Sequence, residues 1–131
     1  MPNIDPWVNQ NEDMTTKTIN NFENHLLAIK TERQNMIHPN LHPTYNERQQ
    51  KIIEMIDWTL EKYKMNMEKT QLQNEEIIID NIIEELDKRR DIAINKKKEA
   101  LLKDEVSRYR LEEDTMDYVL FRIRELTGRL I

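Results

Sequence analysis

Histidines, paired carboxylates and a dense run of bases are the residues of this sequence whose types and spacing could do chemistry. His38 and His42 stand four apart, the separation at which two imidazoles share a helix face and hold a metal ion. Pro39 lies between them and breaks any helix that would align them. His25 sits beside an apolar stripe. The chain has no cysteine, which removes thiolate ligands, disulfides and thiol nucleophiles together. The histidines therefore read as loop and rim residues, with no metal site and no cofactor expected. Glu75-Glu76, Glu84-Glu85 and Glu112-Glu113 are adjacent pairs, and neighbours on a helix point about 100° apart, so such a pair does not converge on one substrate. No glutamate precedes a histidine by three residues on a helix, as a di-iron bundle requires. With no glycine-rich phosphate loop and no G-x-S-x-G, no catalytic residue is assigned and the chain is not expected to be an enzyme.

The bases are the strongest surface signal. Arg89, Arg90, Lys96, Lys97, Lys98 and Lys103 cluster, with Arg108 and Arg110 close behind. On one continuous helix, Arg89, Lys96 and Lys103 make a ridge about 21 Å long. Such a ridge suits a protein partner or, less favoured, a nucleic-acid backbone. The favoured reading of the residues alone is a solvated face with intrahelical pairs. Tyr109 is the one aromatic among them, so base stacking of the single-strand kind is unsupported. The second candidate contact is Trp7, in a polar N-terminal stretch. Trp7 is read as docked on its own domain first, then, since tryptophan is enriched at binding hot spots, as a partner anchor, or else as disordered with the arm.

The elements that must carry these residues are helices. A single glycine among 131 residues cannot supply the turns of a sheet protein. Residues 1–14 are polar, aperiodic and proline-containing, and read as a flexible arm. Residues 15–131 read as one helical domain. A first helix starts at Thr15 or Thr16, with Ile19, Phe22, Leu26, Ile29 and Met36 as its stripe and Arg33 filling a gap. His38 to Pro43 ends it. A second starts at Pro43 or Thr44, with Thr44 and Glu47 as a capping box, and carries Ile52, Ile53, Ile56, Leu60, Tyr63 and Met67, flanked by Met55 and Trp58. A turn is placed at Thr70–Asn74. A third runs from about Glu75 to Lys103, with Ile78, Ile79, Ile82, Ile83, Leu86, Ala93, Ala100 and Leu101 on its apolar side. Leu111-Glu112-Glu113-Asp114 opens a fourth, carrying Met116, Val119, Leu120, Ile123, Leu126 and Leu130, with Tyr118 and Phe121 widening the stripe. The predicted fold is an all-α four-helix bundle of long amphipathic helices.

Composition narrows the setting. Twenty basic against 25 acidic residues leave a net charge of -5, which disfavours a dedicated nucleic-acid coat or polybasic membrane binder. The charge is unevenly laid: residues 68–87 hold seven acids and one base, and residues 88–110 nine bases and four acids. Acids near a helix N-terminus and bases near its C-terminus suit the helix dipole and account for part of this. Mean hydropathy is -0.87 and no apolar run exceeds four residues, too few for a spanning segment. An intracellular protein, cytoplasmic or nuclear, is expected, with no membrane partner.

Three stretches point to a family. Leu26-Leu27-Ala28-Ile29-Lys30-Thr31-Glu32-Arg33, followed by Leu41-His42-Pro43-Thr44-Tyr45, resembles the opening of the helical domain in subunits of GINS, the replication-fork complex. Glu85-Leu86-Asp87-Lys88-Arg89-Arg90, then Lys96-Lys97-Lys98 to Leu101-Leu102, is similar to that family's long helix. Leu111-Glu112-Glu113-Asp114 resembles its acidic start to the last helix. The likeness covers roughly residues 19–127 and implies a non-enzymatic scaffold that packs with sister subunits and tethers helicase components. The residues themselves point to a non-catalytic helical scaffold or adaptor working through helix faces. The alternative is a self-assembling viral or filament protein, or a packager of nucleic acid using residues 88–110.

Overall fold

The computed structural model describes residues 14–69 and 75–129, with side chains from 22 to 68 and from 75 to 129. Trp7, the arm apart from Met14, the expected turn at Thr70–Asn74, the side chain of Ile19, and Leu130 lie outside the described residues. Four helices follow one another: α1 (Met14–Asn35), α2 (Pro43–Lys69), α3 (Glu75–Glu99) and α4 (Lys103–Leu126). Each packs antiparallel to the one before, and the whole is an all-α four-helix bundle. Phe22 meets Tyr63 at 4.7 Å between ring centroids and Lys30 pairs with Asp57 at 2.7 Å, which fixes α1 against α2. Trp58 lies under the Arg89 guanidinium at 4.5 Å, so α3 folds back along α2. The tightest pair is α3 with α4.

The apolar stripes meet in one core. Phe22, Leu26 and Ile29 enter from α1, and Ile52, Ile56, Leu60 and Tyr63 from α2. Ile78, Ile79, Ile82 and Leu86 come from α3, and Met116, Val119, Leu120 and Ile123 from α4. Trp58, Met67, Tyr118 and Leu126 pack against it half-buried. Two buried hydroxyls are satisfied locally, as burial requires: those of Thr59 and Thr115 donate to the carbonyls of Met55 and Leu111 at 2.9 and 2.7 Å.

Beyond α1, which begins at Met14 and so ahead of the expected cap at Thr15 or Thr16, two helix boundaries differ from the sequence expectation. The third helix ends at Glu99 and the fourth begins at Lys103, so the turn is Ala100–Leu102 and not the stretch before Leu111. Ala100 N–H still bonds the Lys97 carbonyl at 3.4 Å, a tightened last turn. Leu101 does not continue the core stripe; it is 94% exposed. The second correction concerns Thr44, which is inside the first turn of α2 and not its cap. His42 caps that helix: its Nδ1 accepts the Thr44 N–H at 3.1 Å and its carbonyl accepts the Tyr45 N–H at 3.0 Å. Pro43 follows at the first helical position, where its missing N–H costs nothing.

The lone glycine closes α4. Gly128 has φ of 70°, a conformation that costs side-chain-bearing residues energy. Its N–H bonds the Glu125 carbonyl at 3.4 Å while Arg129 N–H bonds the Arg124 carbonyl at 2.9 Å. These two bonds are the Schellman pattern. They turn Arg129 back onto α3, where its Nε reaches Asp80 at 2.9 Å and its Nη2 the Glu76 carbonyl at 3.1 Å.

Candidate functional site

The basic ridge does not exist as a single line. Lys103 belongs to α4, across the turn from Arg89 and Lys96 on α3. Several of the cations are engaged inside the bundle. Arg90 donates to Asp117 of α4, and that bond holds the guanidinium pKa above its usual value. Lys97 donates to Glu113 at 2.5 Å. Arg89 covers the Trp58 ring, and Lys96 lies 5.8 Å from the centre of the Tyr109 ring. Lys98 and Lys103 are exposed near the α3–α4 turn. Of the six, Arg90 and Lys97 are wired to α4, while Arg89, Lys96, Lys98 and Lys103 stay exposed.

That wiring accounts for the charge division along α3. Asp80 pairs with Arg129, Asp87 with Arg124 at 3.2 Å, Arg90 with Asp117 and Lys97 with Glu113. The acidic first half of α3 therefore faces the basic end of α4, and its basic second half faces α4's acidic beginning. Sliding or reversing either helix would set like charges opposite one another, so the pairs fix direction and register. Each is partly exposed and contributes about 1 kcal/mol or less.

On the opposite flank of α3 the packing opens. A groove of about 410 Å³ runs between α2 and α3 with α4 as its floor, walled by Met55, Trp58, Ile92 and Met116. Lys51, Glu54, Arg89 and Glu112 stand around it. Ile92 is 54% exposed at its edge. Beyond the end of α3, Leu101 and Leu102 are 94% and 63% exposed. Ile77 is also exposed, whereas its neighbours Ile78 and Ile79 are buried.

The histidines have structural duties in the α1–α2 connection. His42 is the cap already described. His38 is held by Asn46, whose Oδ1 accepts its N–H at 3.2 Å and whose Nδ2 donates to its carbonyl at 2.7 Å. Among the described residues no three histidine, aspartate or glutamate side chains gather as a metal would need. The paired glutamates diverge: Glu85 lies 3.9 Å from Lys62 and Glu84 3.6 Å from Lys88. Glu75 accepts the Tyr63 hydroxyl at 3.2 Å. Burial, with Glu76 beside it, lifts the Glu75 pKa against the opposing pull of that hydroxyl and of Arg129. Burial and the nearby Glu75 charge keep Tyr63 protonated well above its usual range.

The residue that sequence reasoning underrated is Arg33. It stands in the α1 stripe where an apolar residue would belong, and it ties three helices. Its Nη1 donates to buried Gln49 of α2 at 3.1 Å and its Nη2 to the Tyr118 hydroxyl of α4 at 2.7 Å. Its guanidinium also lies 4.4 Å from the Tyr118 ring centre, a cation–π contact. Arg122 donates to the same hydroxyl at 3.0 Å from the other side. The signal was the break in the stripe itself: a base at a core position needs a built environment.

Compared with known protein families, curated proteins and solved structures, the chain shows no significant match to any. No described helix is long and apolar enough to cross a membrane. The bundle is capable of protein–protein contact through its helix faces.

Proposed function

We propose that the chain is a non-catalytic helical assembly module that holds protein partners on its helix faces. The observation that carries this is the unspent apolar surface at one side of α3: the groove walled by Trp58 and Ile92, and the leucine tip beyond it. A helix laid in such a groove is read through apolar anchors one turn apart, and the two methionines in its wall adapt to the shape of what binds. The resemblance to GINS subunits supplies a setting, a scaffold subunit at a replication fork, in a cytoplasmic or nuclear compartment. The engagement of Arg90 and Lys97 within the fold favours a protein partner over nucleic acid.

Affinity capture from native extract tests both parts. Wild-type chain should retain a defined set of proteins that the Ile92→Lys/Leu101→Lys variant loses. Helicase components and sister subunits in that set would support the fork setting. Identical capture by both chains would overturn the assignment of the surface.

A further inference from the structure

We infer that His42 is a pH-sensitive cap, holding the start of α2 while its ring is neutral and releasing it when the ring takes a proton. The need for a cap here is set by Pro43. An α-helix opens with N–H groups that have no carbonyl a turn behind them. At the start of α2, Pro43 has no N–H to satisfy, and the Tyr45 and Asn46 N–H groups both bond the His42 carbonyl, at 3.0 and 3.3 Å. One donor is left, the Thr44 N–H, and its acceptor at 3.1 Å is Nδ1 of His42. Serine, threonine, aspartate and asparagine usually fill this role through an oxygen. An imidazole accepts through a ring nitrogen only while neutral, because both nitrogens of the cation carry hydrogen. Protonation therefore turns the acceptor into a second donor facing the Thr44 N–H. It also sets a positive charge at the positive end of the helix dipole.

The release is confined to one turn. His38 is bound through its backbone: Asn46 accepts its N–H at 3.2 Å and donates to its carbonyl at 2.7 Å. Those bonds involve no titrating atom, so the connection stays fastened at Asn46 while the turn ahead of it, Pro43 to Tyr45, loosens. The surrounding charges do not override this. Sharing a cleft with Thr44 are Glu47 and Arg48 of α2 and Asp104, Arg108, Arg110 and Asp114 of α4, three of each sign. From α1, Arg33 is bound to Gln49 and Tyr118. At the same end of the bundle α3 finishes with Lys98 beside Glu99. With the signs balanced, the lost acceptor governs the outcome. Protonation costs the native state a bond that the unfolded chain does not have, so stability falls as pH falls through the histidine range.

The full chain is compared with His42→Asn, whose amide oxygen caps whatever the pH, and with His42→Ala, which has no cap. In chemical denaturation from about pH 8 to about pH 5, the folded-to-unfolded ratio of the parent should fall about threefold further than that of His42→Asn, the size of a lost cap. His42→Ala should be less stable than the parent at the upper pH and should run parallel to His42→Asn. His25, His38 and Glu75 are common to all three chains, so their titration cancels in the comparison. By NMR, the Thr44 amide resonance of the parent should move together with the His42 ring as it takes its proton. In His42→Asn the same resonance should follow neither remaining histidine. Parallel stability profiles for the parent and His42→Asn would overturn the inference. So would a Thr44 amide that stays fixed while the His42 ring titrates.

Discussion

The two flanks of α3 are built from the same amino acids and behave differently. Toward α4, its charges alternate with a buried face and find opposite partners, so the seam is closed and its register fixed. Toward α2, Glu85 has a distant partner in Lys62 at 3.9 Å, Arg89 lies flat on Trp58, and Ile92 has no cover. Density of charge therefore does not tell a docking face from an internal seam. What separates them is whether the facing helix carries the complementary residue at the same level.

The contrast can be broken most forcefully beneath both flanks at once. Leu86 is fully buried between them, and Leu86→Ala should cost about 2–5 kcal/mol in chemical denaturation through lost transfer energy and cavity; a loss below about 1 kcal/mol would show that the helix repacks. Reversal on the closed flank comes next. Lys97→Glu sets two acids together at its least exposed pair and should cost about 1–3 kcal/mol, with Glu113→Lys in the same chain restoring most of it. Failure of the swap to restore stability would mean that the pair does not set register. Removing the exposed end pair by Asp80→Asn should cost less than about 1 kcal/mol, and the difference should shrink with added salt. On the open flank, Ile92→Lys should leave stability within about 0.5 kcal/mol, as for other exposed positions. A larger loss would place Ile92 in the fold and not at a contact surface.

The smallest effect concerns pH. A carboxyl whose pKa is raised on folding holds its proton more tightly in the native state, so its contribution to stability is lost as pH rises through the range above the ordinary carboxylate value. Glu75 is such a group, with burial the main cause. Glu75→Gln keeps an acceptor for Tyr63 and should flatten the stability profile in that range, gaining on the parent chain toward neutral pH. A variant that tracks the parent throughout would show that Glu75 is solvated in the native state.

Much of the architecture was readable in the spacing of apolar residues. Ile78, Ile79, Ile82 and Leu86 fall where the helical period puts them, and so do Val119, Leu120 and Ile123. The α3–α4 turn was not read, because no glycine or proline marks it and Ala100-Leu101 continue the period in sequence while leaving the core in space. A different signal was present. Lys96-Lys97-Lys98 is followed by Asp104-Glu105, bases ending one helix and acids beginning the next, as the dipoles at two helix ends prefer. The basic cluster was located correctly as a set of residues. The pairing of Arg90 with Asp117 and of Lys97 with Glu113 was not legible, because it depends on folding back at a turn the pattern did not show. Arg33 and His42 escaped for a related reason: their partners, Gln49 with Tyr118 and the Thr44 N–H, come from the next elements, and composition says nothing of that.

The ion pairs between α3 and α4 have a property that neither helix shows alone. Read from N- to C-terminus, α3 presents Asp80, Asp87, Arg90 and Lys97, and α4 presents Glu113, Asp117 and Arg124, with Arg129 following just past its cap. Both spell two negatives followed by two positives. Two such orders match when the helices run in opposite directions and the charges fall at the same levels, as they do here. The pattern is thus a polarity code and carries no record of which molecule its reader belongs to. Only the three-residue tether at Ala100–Leu102 makes a helix's own neighbour the nearest match. A short tether keeps the cost of closing the loop low, so a helix's own neighbour outcompetes a helix of another chain.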